Sequence, residues 1–267
     1  MTIKVLIVGD VVGRSGLRAV QVLVPKLRRE FDCHFCIVNG ENMTGGAGLS
    51  AKGCNDLRRR GVDAITGGDH IWDNKNFIRE INDVPFVLRP LNLLNEQTGK
   101  GVEVFTAPER GDIAVISLLG QVFMKVNCNN PFEVIEKTIE DVRKRTSTIF
   151  VDFHGEATSE KVAMGRFLDG RVTCVFGTHT HVATADERIL PKGTAYVTDV
   201  GMVGATDSIL GRAVDPVVSF FSTGLPARFK VVSGEIEMNG AIVECDAETG
   251  KAIDVKRFRR TWTPETK

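Results

Sequence analysis

The sequence predicts an α/β layer architecture, with helices flanking a central sheet or sheets. Two observations carry this. Short apolar runs alternate with stretches of helical spacing from residue 5 to residue 181, and strand-like runs dominate from residue 182 onward.

Residues 5–8 form a continuous apolar run, the mark of a buried strand, and residues 9–16 read as a loop. Residues 17–29 have helical spacing, with Leu17, Val20, Leu23, Val24 and Leu27 on one side, although Pro25 opposes a continuous helix. A second strand at 35–38 enters a glycine-rich loop, 39–48, and Ser50 is placed to cap a helix reaching Arg60. A third strand at 64–66 turns through Gly67-Gly68-Asp69-His70 into a short helix at 74–80. Strands are expected at 86–88, 102–105, 113–118, 148–152 and 172–176, with helices at 132–146, entered through Pro131, and at 159–168. The second half is expected to be mainly antiparallel, with strands at 195–198, 217–222, 229–232 and 240–244 and a frayed tail from residue 259. No linker or repeat interrupts the chain, so one domain spanning 1–267 is expected.

The chain has 267 residues, 42% of them hydrophobic, enough for a sizeable core. Its 34 basic and 34 acidic residues balance, which gives no long-range pull toward extended nucleic acid or an anionic membrane. Two basic runs, Arg58 to Arg60 and Lys256 to Arg260, read as solvated helix or terminal faces. Of six cysteines, Cys33 and Cys36 form a single CxxC without the second pair that a zinc ribbon needs, so buried thiols are expected. There is no signal-peptide pattern after Met1, and no apolar run nears the ~20 residues of a membrane span. A cytoplasmic protein is expected.

The chemistry lies at the strand ends. Asp10 follows the first strand, Glu41 and Asn42 the second, and Asp69 and His70 the third. His154 follows a later strand and His179-x-His181 the last of the alternating part. Groups outside the carboxyl ends of strands in an open α/β sheet converge on one crevice. Imidazoles mixed with carboxylates suit manganese, iron or zinc, and a carboxylate can bridge two such ions. Each signal alone has a plainer account. Asp10 and Asp69 could cap turns, His154 could be a buried hydrogen-bonded imidazole, and a lone HxH is more often structural. Their joint placement points to a hydrolase with two metal ions. His70, beside a ligand candidate, is placed to protonate a leaving oxygen. The glycines around Asp10 do not make a GxGxxG loop, and neither a GxxxxGK[ST] loop nor a GxSxG elbow occurs.

At these residues the chain resembles the calcineurin-like metallophosphoesterases, and most closely the bacterial YmdB-type branch. The matching pieces are Val8-Gly-Asp10-Val-Val-Gly13, Asn39-Gly-Glu41-Asn42, Gly68-Asp69-His70-Ile-Trp72-Asp73, His154-Gly-Glu156-Ala-Thr-Ser-Glu160-Lys161, Gly177-Thr-His179-Thr-His181 and Thr198-Asp199-Val-Gly201-Met202. The resemblance implies a sandwich of two mixed β-sheets flanked by helices. It implies a phosphodiesterase that hydrolyses 2',3'-cyclic AMP or related small phosphodiesters by attack of a metal-activated water or hydroxide.

Carried over, Asp10, Glu41, Asn42 and His181 would surround one ion. Glu41, Asp69, His154 and His179 would surround the other, with Glu41 as bridge and His70 as general acid. The resemblance further implies two divalent or trivalent transition-metal ions, iron with manganese tolerated, and a homo-dimer or homo-tetramer. The chain departs from the superfamily's opening Asp-x-His, a loss the branch shares and for which Asn42 compensates. It also carries Asp69 where the motif usually has asparagine. That extra charge would hold the second ion more tightly while reducing its Lewis acidity. The alternatives are a nucleotide phosphomonoesterase on the same fold, or a metal-dependent regulatory ligand-binding protein with weak turnover.

Overall fold

The computed structural model describes residues 1–94 and 97–264. The chain opens with strands β1 (Thr2–Val8) and β2 (Asp10–Val11), helix α1 (Gly13–Glu30), β3 (Phe35–Asn39), α2 (Ala51–Arg58), β4 (Ala64–Thr66), α3 (Phe77–Glu80) and β5 (Val87–Leu88). It continues through β6 (Val102–Ala107), β7 (Gly111–Leu119), α4 (Pro131–Val142), β8 (Ile149–His154), α5 (Thr158–Phe167) and β9 (Cys174–Thr178). It closes with β10 (Arg188–Ile189), β11 (Ala195–Val197), β12 (Met202–Ala205), α6 (Val214–Thr223), β13 (Ile236–Asp246) and β14 (Ala252–Trp262).

These strands form two mixed sheets. One runs β2-β12-β13-β1-β3-β4-β5, with β14 paired to β13; the other runs β10-β11-β9-β8-β7-β6. Side-chain alternation sorts the core into three layers. On β1, Ile3, Val5 and Ile7 face the second sheet and meet a layer containing Ile113, Val115, Phe150 and Phe176. Leu6 and Val8 face the other way, toward Val20, Leu23, Val24 and Leu27 of α1. On the far side of the second sheet, Ile116 and Val151 pack with Ile135 and Ile139 of α4 and Met164 of α5. The result is the expected two-sheet sandwich flanked by helices. The strand axes run parallel in β1-β3-β4-β5 and in β7-β8-β9, so their carboxyl ends open on one edge.

Most expected elements form, with informative departures. Residues 9–16 are not a loop, because Asp10–Val11 pairs with β12 and α1 starts at Gly13. Helix α1 runs through Pro25. An interior proline costs about 3 kcal/mol, and burying Leu23, Val24 and Leu27 at about 1.5–3 kcal/mol each outweighs it. Ser50 caps α2 as expected, its hydroxyl accepting from the Gly53 amide at 3.3 Å.

Two strand expectations fail. Residues 217–222 lie in α6, and 229–232 make only an isolated bridge. Phe221, on this helix, is 79% exposed. The tail is not frayed through Trp262, which ends β14, and residues 265–267 lie outside the described part. The basic run 256–260 belongs to that strand rather than to a helix or terminus, and Arg257 and Arg260 pair with Glu187 and Glu30. All six cysteines are buried and unpaired, as expected. Among the described residues no helix is long and apolar enough to cross a membrane.

Candidate metal centre

Four side chains at or just beyond the carboxyl ends of β3, β4, β8 and β9 meet at the open edge. Single ligand atoms of Glu41, Asp69, His154 and His179 all lie within 4.8 Å of one another. His154 Nε2 is 3.2 Å from Glu41 Oε1 and 3.0 Å from Asp69 Oδ1. His179 Nδ1 is 3.0 Å from the same His154 nitrogen and 3.3 Å from Asp69 Oδ1. Imidazole nitrogens turned toward each other and toward carboxylates form the donor pattern of a cation site. Beside it, Asn42 Nδ2 lies 3.0 Å from Glu41 Oε1 and 3.2 Å from His181 Nε2. Asp10 borders the cluster, with Oδ1 3.8 Å from His154 Nδ1. That Oδ1 is buried without a hydrogen-bond partner. The fifth histidine, His34, sits elsewhere and accepts from the Lys4 amide.

Local backbone explains how the groups approach. A side chain at Gly68 would put Cβ 2.1 Å from Glu41 Oε2 and 2.3 Å from His154 Nε2, so the glycine opens the space the cluster occupies. His179 and His181 adopt φ of 98° and 65°, a region that costs non-glycine residues free energy. The loop is clamped to hold them there. Asp10 Oδ2 accepts the His179 amide at 3.2 Å, and Asp199 Oδ2 accepts both the amide and the hydroxyl of Thr180 at 3.1 and 2.8 Å. The fully buried Lys161 ammonium donates to Asp199 and to the Thr178 carbonyl, each at 2.7 Å.

The electrostatics ask for a cation. Burial pushes the Asp10 carboxyl well above the usual range; the positive charge of His154 opposes it, and Glu41, Asp199 and Asp152 reinforce it. Burial works against ionising Asp69, yet hydrogen bonds from His154 and His179 outweigh it and hold this carboxyl far below the usual range. Burial also disfavours the charged form of His154, but Glu41, Asp69 and Asp10 together raise its pKa well above that of a free imidazole. Several acidic groups thus crowd one buried imidazole, a charge pattern that a bound metal cation would balance.

All eight residues singled out from sequence border this one cleft edge. Their degree of contact differs: Glu41, Asp69, His154 and His179 form the tight cluster, whereas Asp10, Asn42 and His181 flank it. His70 is 41% exposed at the mouth. Its Nδ1 meets Asp73 Oδ2 at 2.8 Å, and its Nε2 is 3.7 Å from Asp69 Oδ2. A supporting layer lies behind the cluster. His154 Nδ1 meets the Thr178 hydroxyl at 2.8 Å, which donates to Asp152 at 2.6 Å, and Asn39 donates to the same carboxylate at 3.0 Å. The available signal was a charged residue inside a buried strand, Asp152 in Ile-Phe-Val-Asp-Phe-His.

A family model described as YmdB-like protein matches residues 6–258. The chain belongs to the YmdB-like family. Among its relatives, the 2',3'-cyclic-nucleotide 2'-phosphodiesterase of Bacillus subtilis is 46% identical over 255 residues, covering 96% of each chain. A crystal structure of a novel phosphatase from Mycoplasma pneumoniae superposes on this YmdB-like chain with a TM-score of 0.92 at 36% identity, covering 99% of this chain and 95% of that one. A hypothetical protein from Thermus thermophilus gives a TM-score of 0.89 at 35% identity, covering 98% and 100%.

Proposed function

We propose that this chain is a dinuclear metal-dependent phosphodiesterase that hydrolyses 2',3'-cyclic nucleotides, acting as one domain over its length. The observation that carries the reading is the convergence of Glu41, Asp69, His154 and His179, with the unsatisfied Asp10 Oδ1 and the Asn42–His181 pair alongside. Glu41, Asp69, His154 and His179 would hold one ion. Asp10, Asn42 and His181 would hold the other, sharing Glu41, with the Asn42 amide turned to offer its oxygen. Such a pair supplies an activated water, a grip on phosphate oxygens and charge neutralisation. Histidines among carboxylates suit manganese, iron or zinc, and the family resemblance favours iron with manganese tolerated. The six reduced thiols support a cytoplasmic setting.

His70 acts on the leaving oxygen. Asp73 accepts from Nδ1, which fixes the ring and turns Nε2 toward the cleft. A proton held on Nε2 passes to the ribose oxygen as the cyclic ester opens. The Bacillus subtilis relative is named for cleavage at the 2' position. The same regiochemistry here gives the nucleoside 3'-phosphate.

The test incubates metal-loaded and chelator-stripped protein with 2',3'-cyclic AMP and separates adenosine 2'- and 3'-phosphates by chromatography. Metal-dependent formation of the 3'-phosphate is expected, with His154→Ala inactive and His70→Ala slowed by ~10²-fold or more in kcat. Turnover that survives both substitutions, or is indifferent to metal, overturns the reading. Release of inorganic phosphate from adenosine 3'-phosphate would instead favour the monoesterase alternative, which the likeness to the Mycoplasma pneumoniae phosphatase keeps in view.

A further inference from the structure

The cleft beside the cluster has a volume of about 390 Å³. Its lining includes Glu41, Asn42, His70 and His179 from the cluster and Leu210, Arg212, Val217, Phe221 and Phe229 from a later segment. That segment is an arm that leaves the sandwich after β12 and returns before β13. Its base is closed by the Ala213 amide donating to Lys230 O at 3.0 Å and the Val232 amide donating to Gly211 O at 3.1 Å. Within the arm, α6 buries Val217 alone. Phe220 stands between its two neighbours, edge-on to Phe221 at 5.4 Å and to Phe229 at 5.6 Å between ring centres. Phe221 thus packs edge-on against Phe220, itself backed by Phe229, and remains 79% exposed.

The arm is also tied to the site. His181 Nδ1 meets Leu210 O at 3.3 Å, and the Arg212 guanidinium donates to Gly46 O in the glycine-rich loop and to Phe229 O. The aromatic wall is therefore held in a set relation to the donors that would bind phosphate.

We propose that Phe221, braced by Phe220 and Phe229, is the platform on which the base of a nucleoside 2',3'-cyclic phosphate stacks. The inference rests on the diesterase reading of the same cleft and adds what sets its preference for nucleotides. In such an ester the base is attached one ribose carbon from the phosphate-bearing C2'. A phosphate held at the cluster leaves its base within reach of the cleft lining, and there the arm presents Phe221 and Phe229 beside the Arg212 guanidinium. An exposed apolar patch of this kind marks a binding surface, and stacking on a phenyl ring accepts any base.

The experiment compares 2',3'-cyclic AMP with glycerol 1,2-cyclic phosphate, a five-membered cyclic ester without a base, in the metal-loaded full-length protein. In Phe221→Ala the ratio of kcat/KM for the two esters is expected to fall about tenfold, about 1.4 kcal/mol, chiefly through the KM of the nucleotide. Phe221→Trp is expected to restore the ratio. A parallel fall for both esters overturns the proposal. So does an unchanged ratio; if it came with a change in molecular mass in solution, the wall would be a subunit contact. Equilibrium dialysis with adenosine 3'-phosphate separates this claim from the one beneath it. Phe221-dependent binding by a wild-type protein that cleaves neither ester would count against the diesterase reading and for the platform. Cleavage that continues while Phe221→Ala binds the nucleotide as well as wild type would count against the platform alone.

Discussion

Replacing Lys161 by methionine removes one half of an ion pair in which both side chains are 1% exposed. At the surface such a pair would be worth about 0–1 kcal/mol. Buried, the loss is larger, because Asp199 keeps its charge without a counter-ion and the Thr178 carbonyl loses its donor. Two charge-assisted hydrogen bonds at about 1.5–3 kcal/mol each bracket the effect, in line with the roughly 3–5 kcal/mol typical of breaking a buried pair. For a chain of this size that is a fall in Tm of ~10 °C. Thermal and urea unfolding of metal-free protein measure it. The double variant Lys161→Met with Asp199→Asn leaves no stranded charge and is expected to recover part of the loss. Asp199 also fixes Thr180 between the two histidines, so Lys161→Met should weaken metal retention, read by equilibrium dialysis. A loss of stability below about 1 kcal/mol, or a double variant no more stable than the single one, would refute the reasoning.

Gly68→Ala places a methyl against Glu41 and His154, and the purified variant is expected to hold less metal per chain by elemental analysis, with a far smaller change in Tm when compared metal-free. Thr178→Val keeps the shape but removes the hydroxyl between His154 and Asp152; metal affinity should drop by about 10–100-fold in a competitive chelator titration. Asp69→Asn removes one negative charge from the cluster, and the same titration should show affinity weakened by at least ~tenfold, whereas a tighter site would contradict the charge argument.

The strand ends made the site legible. Asp10, Glu41, Asp69, His154 and His179 each follow an apolar run, and parallel strands carry such positions to a common edge. The supporting layer was harder to read. Asn39 meets Asp152 across 113 residues of sequence, and Lys161 meets Asp199 across 38, and no local pattern encodes either contact. The arm departs from its sequence expectation because Val217, Val218, Phe220 and Phe221 have strong strand propensity. The terminal signals were there to correct it. Pro216 sits in the first turn of α6 and Gly224 ends it in the left-handed conformation at φ 72°. Propensity also hid the exposure of Phe221, since a paired aromatic run suits a core strand as well as a helix on the rim.

The register of the first sheet orders events during biosynthesis. Thr2 pairs with Asp246 and Val8 with Gly240, so one side of β1 stays open until the ribosome has released β13. Through most of translation the nascent chain therefore exposes a long apolar strand edge, an invitation to intermolecular pairing. The donors at residues 41, 69, 154 and 179 emerge earlier, but Asp10 lies in β2, which pairs with β12, and β12 is held in the sheet through β13, so Asp10 reaches its place only once both have emerged. Truncations that remove β13 should accordingly yield insoluble chains rather than smaller enzymes, whatever metal the growth medium provides.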